Sequence, residues 1–283
     1  MKTAQKKSFE FSDLTDNLGL TYLIVLFASG AIWAFIAINN FETPTVFKLA
    51  LICSILLLFG FLGVSYDRRS QELGLDSRLW EKTNMKKQLI IAVILFAVWY
   101  LVFMSGGFSV ATAQSVTGGG TLFSVSPGLN FILTAVLGPL AENIFFFGVL
   151  NFTLITMLRR LFAEQNRVKS IVSGVVILAT IPLFNVVPNA VIVLGLAGLL
   201  TIFAGVTNFP AVHKHAPIII SALIIGGAVF PKFHSFAYQL NESSFFAAQV
   251  FGIGVCMVAA YVGMLPVDIL HVGNNAAVAI GLG

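Results

Sequence analysis

A helix that crosses the hydrocarbon core of a bilayer needs about 20 mostly apolar residues. Eight segments of this chain meet that need: 18–38, 45–66, 88–104, 129–158, 170–187, 190–208, 216–233 and 246–264, followed by a short apolar tail, 266–282. In lipid every backbone N–H and C=O must be paired inside its own segment, so runs of this length are read as helices. The fourth run is longer than a bilayer requires, which predicts a tilted helix or one that extends past the surface. Only "NVVPN" separates the fifth and sixth runs, and Pro188 marks the turn. Charged residues make up 10% of the 283 positions, against roughly 25% in soluble domains. The expected fold is an all-α polytopic membrane protein of about eight transmembrane helices. No soluble stretch is long enough for a second domain, so residues 1–283 form a single membrane domain.

The bases carry the orientation. Of the 16 Lys and Arg residues, all but Lys48 and Lys232 fall before the first run or after the second, fourth and sixth. The intervening loops, including the uncharged, Gly-rich 105–128, hold almost none. The positive-inside rule then places the N-terminus in the cytoplasm. This distribution assigns the net charge of +4 to membrane topology and not to nucleic acid, and the expected partner on all sides is lipid. The plasma membrane is the expected location. The first run follows a polar stretch, is too long for a signal-peptide core, and lacks a small-residue cleavage site, so it is expected to remain as a helix. Cys53 and Cys256 both lie in apolar runs and are read as packing residues. The segment from Asp67 to Gln88 sets Leu73, Leu75, Leu79 and Trp80 among charges, which suits either a short interfacial helix or a solvated loop.

An ionisable group in a spanning helix costs at least about 2.5 kcal/mol on insertion scales, so it tends to be paired, solvated or functional. In the second half of the chain these groups are Glu142, His234, Asp268 and His271, joined by the amides Asn143, Asn151, Asn185, Asn274 and Asn275. Glu142 sits midway along a long apolar run with Pro139 just before it, and a proline there loosens the hydrogen-bond ladder beside the acid. Phe230 and His234 are four apart and share a helix face, as do His271 and Asn275. Alone, His234 reads more readily as an interfacial residue, and His271 with Asn275 reads as a pair of helix-to-helix hydrogen bonds. Together, one carboxylate, two imidazoles and an amide on three helices can activate water and hold an oxyanion. Asp268, three residues before His271, either orients that imidazole or caps the start of the last helix.

In chain order these residues resemble the motifs of the CPBP family, also called ABI, which contains type II CAAX prenyl endopeptidases and bacteriocin-processing or self-immunity proteins. "ENIFFFG" from Glu142 to Gly148 resembles the family's Glu-Glu-x-x-Phe-Arg-Gly, Phe230 and His234 its Phe-x-x-x-His, and His271 and Asn275 its His-x-x-x-Asn. The resemblance covers about 129–280, with 1–128 as the variable N-terminal helices and 129–283 as the catalytic core. It implies an intramembrane endopeptidase acting on a membrane-associated peptide or protein, without metal or other cofactor. Glu142 would be the base, His234 its partner on the attacking water, and His271 and Asn275 the oxyanion donors. Two positions depart from the pattern: Asn143 stands at the second Glu, and Phe147 at the Arg. Replacing both members of a buried ion pair is compatible with folding, whereas losing one strands a charge.

Two other readings compete. A chain with this fold and altered chemistry would act as an immunity, binding or scaffold partner in the membrane. A proton relay through Glu142, His234 and His271 would suit a transporter, though the sequence has no inverted repeat. As metal ligands those three side chains are adequate by type, but no two have a tight local ligand spacing. "HKH" at 213–215 is read as a solvated loop.

Overall fold

The computed structural model describes residues 85–104, 131–184, 187, 189–207, 209–237 and 242–279. The expected helices at 18–38 and 45–66, the interfacial segment before Met85, the 105–128 loop, Cys53, Asn185 and Pro188 lie outside the described residues. Among the described residues there are helices and no strands. Seven helices follow in order: α1 (Met85–Trp99), α2 (Ala135–Ala163), α3 (Arg167–Ala179), α4 (Ala190–Val206), α5 (Pro210–His234), α6 (Glu242–Tyr261) and α7 (Met264–Ala279). Among the described residues, three helical stretches are long and apolar enough to cross a membrane: Ala135–Ala163, Arg167–Phe184 and Pro210–His234. Ala190–Val206 and Phe245–Tyr261 are shorter apolar helices. The tail after the last apolar run is a full helix, α7, and it carries His271 into the protein interior.

Sequence-local rules account for the boundaries. Asn166 caps α3, its side chain accepting from the Lys169 N–H at 3.0 Å, as asparagine at an N-cap does. Pro210 opens α5, where a missing N–H is harmless. Between α6 and α7, Gly263 has φ 127°, a conformation that L side chains rarely adopt and glycine accepts readily. Because α7 begins at Met264, Asp268 lies in its second turn and is not its cap.

Helix packing relies on small residues, as expected where lipid removes the hydrophobic drive between helices. Along α3 and α4, a Cβ on Gly198 would meet Leu178 at 2.7 Å and the Gly174 carbonyl at 2.9 Å. The exposed apolar side chains of this pair, such as Val172, Val176, Val191 and Leu199, form a surface suited to lipid. Between α5 and α6, Gly226 and Gly252 bring two backbones together so closely that a Cβ on either would strike the other's backbone. Gln249 Nε2 donates to the Gly227 carbonyl at 2.9 Å beside this crossing. One turn further in, Asn151 of α2 donates to the Cys256 carbonyl of α6 at 3.0 Å and accepts from Ser221 Oγ of α5 at 2.7 Å. Asn151 therefore serves as a tie between three helices, and Cys256 is a buried free thiol. The main core gathers Phe146, Phe147, Leu150, Phe230, Phe251 and Val267.

Charge divides the bundle into two ends. Lys86 and Lys87 start α1, Arg159 and Arg160 end α2, Arg167 and Lys169 start α3, and Lys214 lies in the first turns of α5. Helix α1 runs alongside α7 in the same direction, with Phe96 against Gly273 and Trp99 bonded to Asn274. The start of α7 follows the end of α6, where Tyr261 meets His215 at 2.9 Å. These bases thus share one end. At the opposite end Lys232 donates to the Leu183 carbonyl and lies over the Phe184 ring.

Candidate active site

Glu142 enters the bundle on an irregular stretch of α2. Wide turns of the π type precede and follow it, at Ile132–Leu137 and Asn143–Leu150. The Asn151 N–H points to both the Gly148 and the Phe146 carbonyls, which closes the second of these stretches. Pro139, in the short α-helical piece Gly138–Glu142, supplies no N–H to the ladder. Helix α5 shows the same feature: the wide turns of Ala222–Val229 end where the Phe230 N–H donates to the Ile225 carbonyl, immediately before the Phe-x-x-x-His stretch. Such turns recur at functional sites because they re-aim side chains within an otherwise regular helix.

Three of the sequence-predicted residues converge on a single atom. Glu142 Oε2 lies 3.5 Å from His234 Nε2 and 3.7 Å from His271 Nε2. The side chains of Glu142, His234 and His271 are 20%, 15% and 5% exposed, so the carboxylate remains open to a small molecule while His271 is enclosed. Phe230 packs its ring 4.1 Å from the His234 ring, and its carbonyl accepts from His234 Nδ1 at 3.0 Å. Phe251 covers His271 at 4.9 Å between centroids. Asn275 stands one turn beyond His271. Its Oδ1 accepts from Asn274 Nδ2 at 3.1 Å, and Asn274 in turn accepts from the Trp99 indole at 2.8 Å.

The two departing motif positions occupy the wall behind His271. Asn143 is fully buried; its Oδ1 faces His271 Nδ1 at 2.7 Å and its Nδ2 donates to Asp268 Oδ1 at 2.8 Å. Phe147, also fully buried, packs on Phe230 at 5.0 Å and lies 6.4 Å from the His271 ring. An apolar ring and a satisfied amide therefore fill the space without leaving a stranded charge, as the paired replacement requires.

The hydrogen-bond partners fix where the imidazole hydrogens are. A carbonyl can only accept, so His234 carries its hydrogen on Nδ1. The Asn143 amide turns its oxygen to His271, so that ring also donates from Nδ1. In their neutral forms both rings then present an Nε2 lone pair to Glu142 Oε2. Three acceptors facing one another are satisfied only by a shared proton or by a molecule that donates to them, such as water. The separations of 3.5 and 3.7 Å are long for direct hydrogen bonds and leave the three atoms open to a donor placed beside them.

Other candidates resolve into structural roles. His213 Nε2 donates to the Ala204 and Thr207 carbonyls at 3.0 and 2.8 Å, closing the C-terminus of α4, and its ring stacks on Phe162. The sequence reading missed Trp99. It comes from α1, within the segment 1–128 that the resemblance leaves variable, and it reaches Asn274, which lies between His271 and Asn275. A tryptophan inside an apolar run, away from its end, is a usable signal, because a buried indole N–H needs an acceptor. Among the described residues, no group of three or more His, Cys, Asp and Glu side chains has an arrangement suited to holding a metal ion. Compared with protein-family models, with curated proteins and with solved structures, the chain matches none.

Proposed function

We propose that this protein is an intramembrane peptidase of the CPBP type, hydrolysing a peptide bond of a membrane-associated protein or peptide with a water activated by Glu142. One observation carries the reading. A carboxylate and two imidazoles from α2, α5 and α7 aim acceptor atoms at one small volume, which is the arrangement needed to take a proton from water. Glu142, with His234, removes that proton as the hydroxide adds to the scissile carbonyl carbon. His271 takes up on Nε2 the proton that the three facing acceptors share before water attacks, and with Asn275 it donates to the oxyanion that forms, keeping that proton through the cycle. The tetrahedral adduct then collapses, and the proton held at Glu142 and His234 passes to the leaving amine, so atoms and charge balance. No metal or cofactor is part of this scheme.

The full topology belongs to the same proposal: eight spanning helices, an N-terminus in the cytoplasm and residence in the plasma membrane, with α1 as the third span. With the basic end in the cytoplasm, Glu142 is 17 residues from Arg159, or roughly 25 Å at about 1.5 Å per residue. This sets the site in the outer half of a hydrocarbon core about 30 Å thick. Substrates would therefore present the bond on the non-cytoplasmic side.

The test is quantitative mapping of protein termini in membranes holding equal amounts of the native chain, Glu142→Gln or His234→Ala. New termini seen only with the native chain support the peptidase reading. Identical termini in all three, with folded protein present, overturn it. A second reading is favoured by the packing of Phe147 and Asn143, which stabilises the fold whether or not the site turns over: a membrane-bound immunity, binding or scaffold partner. That reading is supported if native chain gives no new termini and Asn143→Glu combined with Phe147→Arg does.

A further inference from the structure

Asp268 belongs to no motif, yet it is the last member of a chain of side chains leading to the reacting volume. Its Oδ1 accepts from Asn143 Nδ2 at 2.8 Å, and Asn143 Oδ1 meets His271 Nδ1 at 2.7 Å. An amide of this kind has no preference of its own, since its oxygen and nitrogen are nearly the same size and either can face the imidazole. An ionised carboxylate only accepts. Placed behind Asn143, it holds the NH₂ on its own side and turns the oxygen to His271. The ring must then donate from Nδ1, which leaves Nε2 to face Glu142 Oε2 at 3.7 Å.

We propose that Asp268 is a positioning residue: acting through the Asn143 amide, it dictates which nitrogen of His271 carries the hydrogen and so keeps Nε2 able to take a proton from the Glu142 volume. The Asp268–Asn143–His271 chain takes over the orienting task at the position where the resemblance would place a second glutamate. The tautomer assignment stands on geometry alone; its bearing on turnover rests on the peptidase reading.

Without Asp268 the opposite arrangement is favoured. Asn143 can flip, its NH₂ then donates to Nδ1, and the hydrogen moves to Nε2, where the Glu142 carboxylate accepts it. The experiment uses the full chain in detergent, labelled with ¹⁵N-histidine, at a pH where the imidazoles are neutral, with the His271 signals identified by their loss in His271→Gln. Native protein is expected to carry the His271 hydrogen on Nδ1, and Asp268→Leu to carry it on Nε2. The isosteric exchange Asn143→Asp with Asp268→Asn rebuilds the same polarity, because a carboxylate at 143 can only accept, and should return the hydrogen to Nδ1. Native protein with the hydrogen on Nε2, or Asp268→Leu indistinguishable from native, overturns the proposal. Should Asp268→Leu fail to fold, Asp268→Asn is read instead: it permits both amide orientations and should give mixed signals, and an unmixed Nδ1 signal overturns the proposal. None of these readouts needs turnover, so a protein that switches tautomer without cleaving anything retains Asp268 as the positioning residue while the peptidase reading fails. Where termini are produced, Asp268→Leu should lower their yield at least tenfold and the exchanged pair should restore it.

Discussion

At the residue scale, the question is why an acid is kept among phenylalanines. Glu142 Oε2 lies within reach of both His234 Nε2 and His271 Nε2, and its removal takes away the carboxylate that shares a proton with them. Glu142→Gln keeps size and one acceptor but cannot hold the proton. It should reduce any peptide-bond cleavage by about 10²- to 10⁴-fold, the usual contribution of a general base, measured as the rate at which new termini accumulate. The variant should fold, because a neutral amide in a buried site is easier to accommodate than a carboxylate. The residue types are legible from sequence: Glu142, His234 and His271 stand out as ionisable groups in apolar runs, where their presence needs a reason. The role of Asn143 was not legible. In sequence it is a missing glutamate; in space it is an amide whose two ends bond to two different residues of α7, Asp268 and His271.

At the scale of elements, the site depends on α5 and α6 approaching closely enough to hold Phe230 and Phe251 over the imidazoles. The Gly226–Gly252 crossing makes that approach possible, since a side chain on either would strike the opposite backbone, which cannot rotate away. Gly252→Val should therefore destabilise the protein by about 1–3 kcal/mol, the cost of overpacking, and lower the midpoint of thermal unfolding in detergent. Gly254, two residues along α6, has open space where its Cβ would go. Gly254→Ala should leave the midpoint unchanged or raise it, since alanine is the better helix former. Equal losses from both variants would show that the crossing is not the limiting contact. Helix positions follow from apolar length, so α2 to α6 appear near their expected places. The wide turns in α2 and α5 do not. They depend on how neighbouring helices accept the displaced carbonyls and side chains, which no local pattern encodes.

On the scale of the whole molecule, the separation of bases from the site makes a claim about sidedness. Lys214 lies near the start of α5 and Lys232 near its other end, two residues before His234. In a Cys53→Ser background, a cysteine introduced by Lys232→Cys should react with a membrane-impermeant thiol reagent added to intact cells, and one introduced by Lys214→Cys should react only after the membrane is opened. Cys256 is fully buried and should remain unlabelled in both. The reverse pattern would place the site on the cytoplasmic side and invert the topology, independently of whether the protein is an enzyme.

Sequence alone determined the character of this protein's elements, long apolar helices among the described residues. Apolar length and charge placement are properties of a linear string, and the bilayer reads them segment by segment. Sequence also narrowed the chemistry to a few side chains, because an ionisable group in an apolar run is conspicuous wherever it lies. Tertiary structure decided how those side chains meet. It brought α2, α5 and α7 together so that three acceptors face one point, it assigned the hydrogens of two imidazoles through the partners behind them, and it recruited Trp99 and Asp268. Hydrogen-bond direction depends on distance and orientation between residues more than a hundred positions apart, and those exist only once the helices have packed.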